Sequence, residues 1–181
     1  MNSFGARANP KLVNEPLNSW QTPSRPTHKH TEALFKYWTS KRGDTAIPLR
    51  SAIDPIEVPR LLPMISLLEV EGGQPTRFKV RLFGTFVTDF VGENRTGRYL
   101  DDFGKDLGTN VRTEIIDRWQ QACQAVYDGE SPLFICAQRT TPQKEHQTLH
   151  ATALPLTKAS GSVDYILGLI TTDSGVPSQY L

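Results

Sequence analysis

The chain has 181 residues, enough for one well-cored domain with a tail and too few for two comfortable ones. Lys and Arg number 20 against 19 Asp and Glu, so a net charge of +1 gives no field to gather nucleic acid or an anionic membrane as a partner. The longest apolar run, Leu61 to Val70, is broken by Pro63, Ser66 and Glu69, and Met1 to Trp20 carry no secretory pattern, so a soluble cytoplasmic protein is expected.

Residues 1 to 26 hold Pro10, Pro16, Pro23 and Pro26 among Asn, Ser and Lys, which predicts a flexible tail. Over 27 to 43, Leu34, Phe35 and Trp38 fall at helical spacing, with Thr31 as the expected cap and Gly43 as the stop, giving a flanking helix. The main domain is expected over 44 to 174 and a short tail over 175 to 181. Asp54-Pro55-Ile56-Glu57 reads as a capped helical turn, with Glu57 reaching back to the cap nitrogen. Met64 to Glu71 and Arg77 to Phe83 read as a hairpin about Gly72-Gly73, with Phe78, Val80 and Leu82 on one face. Phe86, Val87, Phe90 and Val91 form a turn or two of helix that Gly92 ends. A short polar piece then leads to Tyr99, Leu100 and Phe103.

Ile115, Ile116, Trp119, Ala122, Cys123, Val126 and Tyr127 make a sustained helical stripe from near Asn110 to Gly129. Leu133 to Thr141, Gln147 to Leu156 and Val163 to Thr172, parted by Pro142-Gln143 and Ser160-Gly161-Ser162, read as a three-stranded meander. Strands separated by a block of helices predict an α+β fold with one antiparallel sheet and helices gathered on one face.

Several strings are familiar in combination. Tyr37-Trp38 with Lys41-Arg42-Gly43, Asp54-Pro55-Ile56-Glu57 with Leu61-Leu62-Pro63, Phe78 to Thr85, and Gly92 ahead of Thr96-Gly97 resemble the PAS-like domain family of short alphaproteobacterial proteins, over residues 30 to 173. The resemblance implies a five-stranded antiparallel PAS sheet, helices enclosing a ligand cavity, and a sensory or regulatory role in signal transduction. In such domains the flanking helix packs on the open sheet face or against a second subunit. A homodimer is therefore expected, with Leu34, Phe35 and Trp38 at or beneath its interface.

Phe83, Phe86, Phe90, Tyr99, Phe103 and Trp119, with Leu100 and Ile116, cluster where that cavity should lie, although large aromatics also simply fill cores. Phe90, Tyr99 and Trp119 are expected to line one cavity; Tyr99 and Trp119 bring hydrogen-bonding groups that a ligand could satisfy. Arg98 and Arg139, like Arg81, are candidates to anchor a ligand carboxylate or phosphate, against the plainer reading of surface salt bridges.

His146 and His150 are four apart, but on a strand that spacing spans roughly 13 Å, too far for one ion; no metal is expected. The thirteen-residue separation of Cys123 and Cys136 does not suit a zinc finger, and a disulfide between them is not expected either. No histidine lies between Gly84 and Val126 to ligate haem, and Gly92-Glu93-Asn94-Arg95 has Arg95 where a photoreactive flavin site needs cysteine. No cofactor is therefore expected beyond a small-molecule ligand.

Catalytic signatures are missing, so the leading expectation is a non-enzymatic, ligand-binding sensory domain that signals through a second copy or an unidentified signalling protein. Two alternatives stand beside it. One is a pocket enzyme of the ketosteroid-isomerase type with Asp101, Asp102 or His150 as base. The other is an interaction adaptor whose cavity is filled by its own aromatics.

Overall fold

Runs of regular apolar spacing fold into strands and helices across residues 17–103, 114–140, 146–159 and 161–174, which with residue 179 are those the computed structural model describes. In chain order these are β1 (Leu17–Gln21), α1 (Lys29–Ser40), β2 (Ile65–Glu71), β3 (Arg77–Phe83), α2 (Thr85–Val91), α3 (Glu114–Gly129), β4 (Leu133–Thr140), β5 (His146–Leu156) and β6 (Tyr165–Thr172). Short 3-10 turns at Arg50–Ala52, Pro55–Glu57, Pro59–Met64 and Leu100–Asp102 connect them. The strands form one antiparallel sheet in the order β1-β4-β5-β6-β2-β3, so the α+β expectation holds. Residues 1–16 of the expected tail, the helix start near Asn110, the Pro142-Gln143 turn, Ser160 and the end segment apart from residue 179 lie outside the described residues.

The sheet has six strands where five were expected, because Leu17–Gln21 leaves the expected tail to pair with β4, Trp20 opposite Ala137 and Gln21 opposite Cys136. Composition gave no warning of this strand. Its stabilisation comes from ladder hydrogen bonds to a neighbour far away in sequence, and those are made by backbone groups common to every residue.

Helices α2 and α3 gather on one face of the sheet, and the flanking helix α1 takes the other. Along β5 the side chains of His150, Thr152, Leu154 and Leu156 alternate with those of Ala151, Ala153 and Pro155, so the two sets point to opposite sides. Helix α1 lies on the first side: Leu34 and Trp38 are fully buried, the Trp38 indole Nε1 donates to the Pro155 carbonyl at 2.8 Å, and Phe35 meets Phe134 edge-on at 5.0 Å. Leu34 and Trp38 thus complete their burial within a single chain, and only half-buried Phe35 retains surface for another subunit. Burying a Trp and a Leu in this way stabilises the fold by roughly 1.5–3 kcal/mol for each side chain.

Local capping also differs from expectation. His28, not Thr31, caps α1: its Nδ1 accepts from the His30 N–H at 3.2 Å, while Thr31 Oγ1 accepts from the His28 N–H and donates to the His28 carbonyl. Asp54 does cap the Pro55 turn through the Ile56 N–H at 2.9 Å. Its own N–H, however, goes to the Tyr37 hydroxyl at 2.8 Å and not to Glu57, which pairs with Lys41.

A bulge resets β3. Leu68 faces Val80 but Leu67 faces Leu82, leaving Arg81 unopposed, so Leu82 leaves the Phe78 and Val80 face and Phe83 takes its place. Leu82 is consequently 40% exposed and Phe83 buried, the reverse of the plain alternation expected for this strand. At Gly84 the chain turns into α2 so closely that a Cβ would collide with the Leu62 and Pro63 carbonyl oxygens. Gly92, in the left-handed region at φ 92°, ends that helix as expected.

Candidate ligand cavity

The other face of the sheet is floored by small side chains. Register places Ala153 of β5, Gly168 of β6 and Ser66 of β2 abreast on adjacent strands, with Ala151 and Ala137 nearby on the same face. Three short side chains in a row leave a trough, and period-two alternation keeps the bulk (Thr152, Leu154, Leu167, Leu169) on the far side. Trp119 of α3 and Phe90 of α2 form the roof, and Trp20 of β1 closes one end with the Arg118 guanidinium 5.9 Å from its ring. Ala122, Ile135, Leu149, Leu68, Ile166 and Ile170 complete the wall.

The trough, partly open to the surface, has a volume of about 60 Å³. At ~10–15 Å³ for each water, that is room for a few water-sized atoms. None of these lining side chains is charged. Among the described residues the only lining hydroxyl on this face is that of Ser66, a residue 1% exposed whose Oγ has no hydrogen-bond partner. A second apolar cavity of about 50 Å³ lies across the sheet, between α1 and the 3-10 turns, bordered by Leu34, Val58, Leu62, Leu67 and Leu82.

Of the trio expected to line one cavity, Phe90 and Trp119 do so and Tyr99 does not. Tyr99 sits outside, beside Lys79 of β3: the Arg77 guanidinium stacks 3.7 Å from its ring and its hydroxyl donates to Glu71 at 2.7 Å. That carboxylate holds the Tyr99 pKa above the ordinary phenol value. Phe83 supports the roof from behind, stacked on Trp119 at 5.5 Å, and Phe86 stacks on Phe90 at 6.2 Å. Leu100 and Ile116 are buried core residues, and Phe103 lies under the Arg95 guanidinium at 5.1 Å.

Neither arginine chosen as an anchor is shown in the cavity. Arg98 is exposed, and Arg139 has its backbone in β4 opposite Gln147 while its side chain lies outside the described residues. Arg81 pairs with Glu69 on the opposite face. Arg95, at the position where flavin photochemistry would need a cysteine, is 1% exposed and clamps its own loop through Glu93 at 2.9 Å and the Tyr99 carbonyl at 3.3 Å.

The bases weighed for a pocket enzyme lie elsewhere too. Asp101 and Asp102 both pair with Arg77, at 3.0 and 3.2 Å, and His150 is on the α1 face bonded to Thr27 Oγ1 at 2.7 Å. Burial lowers the His150 pKa, and burial with neighbouring His30 and His150 lowers that of His28, whose ring is 5.1 Å from His150. Cys123 is buried on α3, which pushes its thiol pKa up and makes it inert. Both cysteines are free thiols. Among the described residues, no group of three or more His, Cys, Asp or Glu is placed to hold a metal, and no helix is long and apolar enough to cross a membrane.

The aromatic roof was visible in the sequence, but the floor was not singled out. Its signal was present as small residues at alternate strand positions, Ala151 and Ala153 in β5, Gly168 in β6 and Ala137 in β4, where a filled core would place larger ones.

No curated protein matches the chain. The family model of the PAS domain matches residues 26–171, from just before α1 into β6 and therefore across α1, the sheet from β2 onward and the cavity between sheet and helices. An antiparallel sheet with short helices and one long helix over one face accounts for that match, and the chain belongs to the PAS domain family.

Proposed function

We propose that this PAS domain is a sensory or regulatory module that binds a small apolar molecule between the sheet and helices α2 and α3, and signals through protein contacts. The observation that carries the reading is the partly open trough of about 60 Å³ beneath Trp119 and Phe90, floored by small side chains rather than filled by large ones. A core optimised for stability would close such a space, because cavities forfeit packing contacts. Family membership supports the regulatory role. The floor strands β5 and β6 carry α1 on their other face, so a ligand that shifts them biases how α1 is presented to a second copy or another protein.

Native mass spectrometry of the purified full chain, followed by a thermal-shift screen of small apolar compounds, tests the reading. A retained or stabilising compound is expected, with its effect lost in Trp119→Ala and kept in Ile56→Ala, a residue 82% exposed. Absence of any retained or stabilising compound, or equal loss in both variants, would return the cavity to the role of ordinary core.

A further inference from the structure

We infer that the ligand class is a small uncharged ring compound bearing one hydrogen-bonding atom, and that Ser66 Oγ is the group that binds this atom. The inference rests on the reading of the trough as a ligand site and specifies what it accepts. Ser66 is 1% exposed, and its hydroxyl has no partner. A buried hydroxyl without a partner forfeits the hydrogen bonds it makes with water. The site keeps the group by structural means: its neighbour across the ladder is Gly168, and a Cβ there would collide with Ser66 Oγ. The hydroxyl is therefore tucked over Gly168 at the trough floor, and rotation about the Ser66 Cα–Cβ bond is the movement that brings it to an occupant.

The other lining groups set the rest of the class. Phe90, Trp119 and Trp20 offer aromatic faces and edges, which favour a flat ring. Among the described residues no charged side chain lines the trough to neutralise a carboxylate or ammonium, so a charged ligand would lose its hydration without compensation. The limited space points to one ring rather than several. Serine both donates and accepts, so a phenolic hydroxyl or a ring carbonyl satisfies it equally.

Isothermal titration of the full chain with p-cresol, toluene and p-toluate, compounds of one shape differing at one substituent, reads the inference directly. The wild type is expected to bind p-cresol about fivefold more tightly than toluene and p-toluate at least about tenfold more weakly than p-cresol. In Ser66→Ala, which removes only the hydroxyl, the p-cresol advantage disappears while toluene binding stays within about twofold; Ser66→Cys, a weaker donor, falls between. Equal binding of p-cresol and toluene by the wild type, a p-cresol preference that survives in Ser66→Ala, or p-toluate binding as tightly as p-cresol would overturn the inference and leave the ligand-site reading intact. If none of the three binds, the inference fails, and native mass spectrometry decides the rest: a different retained ligand preserves the site reading, and an empty spectrum removes it as well.

Discussion

The two faces of this sheet are built from the same strands and do different work. Toward α1, His150, Thr152, Leu154 and Leu156 of β5 and Leu167 and Leu169 of β6 present larger groups on the face where α1 buries Leu34 and Trp38. Toward α3, the intervening Ala151, Ala153 and Gly168 present almost nothing, and Trp119 spans the gap. One face holds the molecule together; the other reserves space. The difference teaches that a cavity need not be announced by unusual residues, since a change of side-chain size on alternate positions is sufficient.

The contrast can be broken most severely at Trp38. Trp38→Ala removes a buried side chain and its bond to the Pro155 carbonyl, and should cost about 3–5 kcal/mol in urea unfolding. Ala153→Val, on the open face, adds two methyl groups beside Gly168. It is expected to change stability by less than about 1 kcal/mol while abolishing ligand-induced thermal shifts. A destabilisation as large as that of Trp38→Ala would show that the trough is already filled.

A smaller effect sharpens the comparison from the side of charge. The titrating histidines sit with α1: burial is the first cause lowering the pKa of His28, His30 and His150 below the ordinary 6.5. His30 and Lys29 reinforce the shift at His28, and Asp173 opposes it. Because the folded values are depressed, the unfolded chain takes up protons first; stability is full above 6.5 and declines as pH falls through the lowered folded values. Urea midpoints should therefore drop between about pH 7.5 and 5.5. His28→Asn keeps a capping side chain without the proton and should flatten the slope. A midpoint constant across this range would contradict the assignment.

Much of the fold was legible because its elements are locally encoded. The stripe from Ile116 to Tyr127 sets α3, and Gly92 ends α2 where expected. What escaped depends on distant partners. Strand β1 exists through its ladder with β4, and Leu82 changes face because Arg81 is squeezed out of register against β2. Tyr99 follows the same logic: an aromatic among aromatics in sequence, it is drawn outside by Arg77 and Glu71. The site was half legible for a related reason. Large rings attract notice, whereas Ala153, Gly168 and Ser66 matter only because three separate strands bring them side by side.

The Gly97–Tyr99 segment has a consequence for how copies of this sheet can meet. Its Gly97 N–H donates to the Val80 carbonyl at 2.7 Å, and its Arg98 carbonyl accepts from the Val80 N–H at 2.8 Å, so the middle of β3 is already paired on its outer side. With the bulge at Arg81 beyond it, that rim offers a newcomer no continuous run of free backbone groups. Strand β1, only Leu17–Gln21, forms the opposite rim. Growth of a fibril requires a template at both ends of every unit, and the blocked β3 rim withholds one of the two.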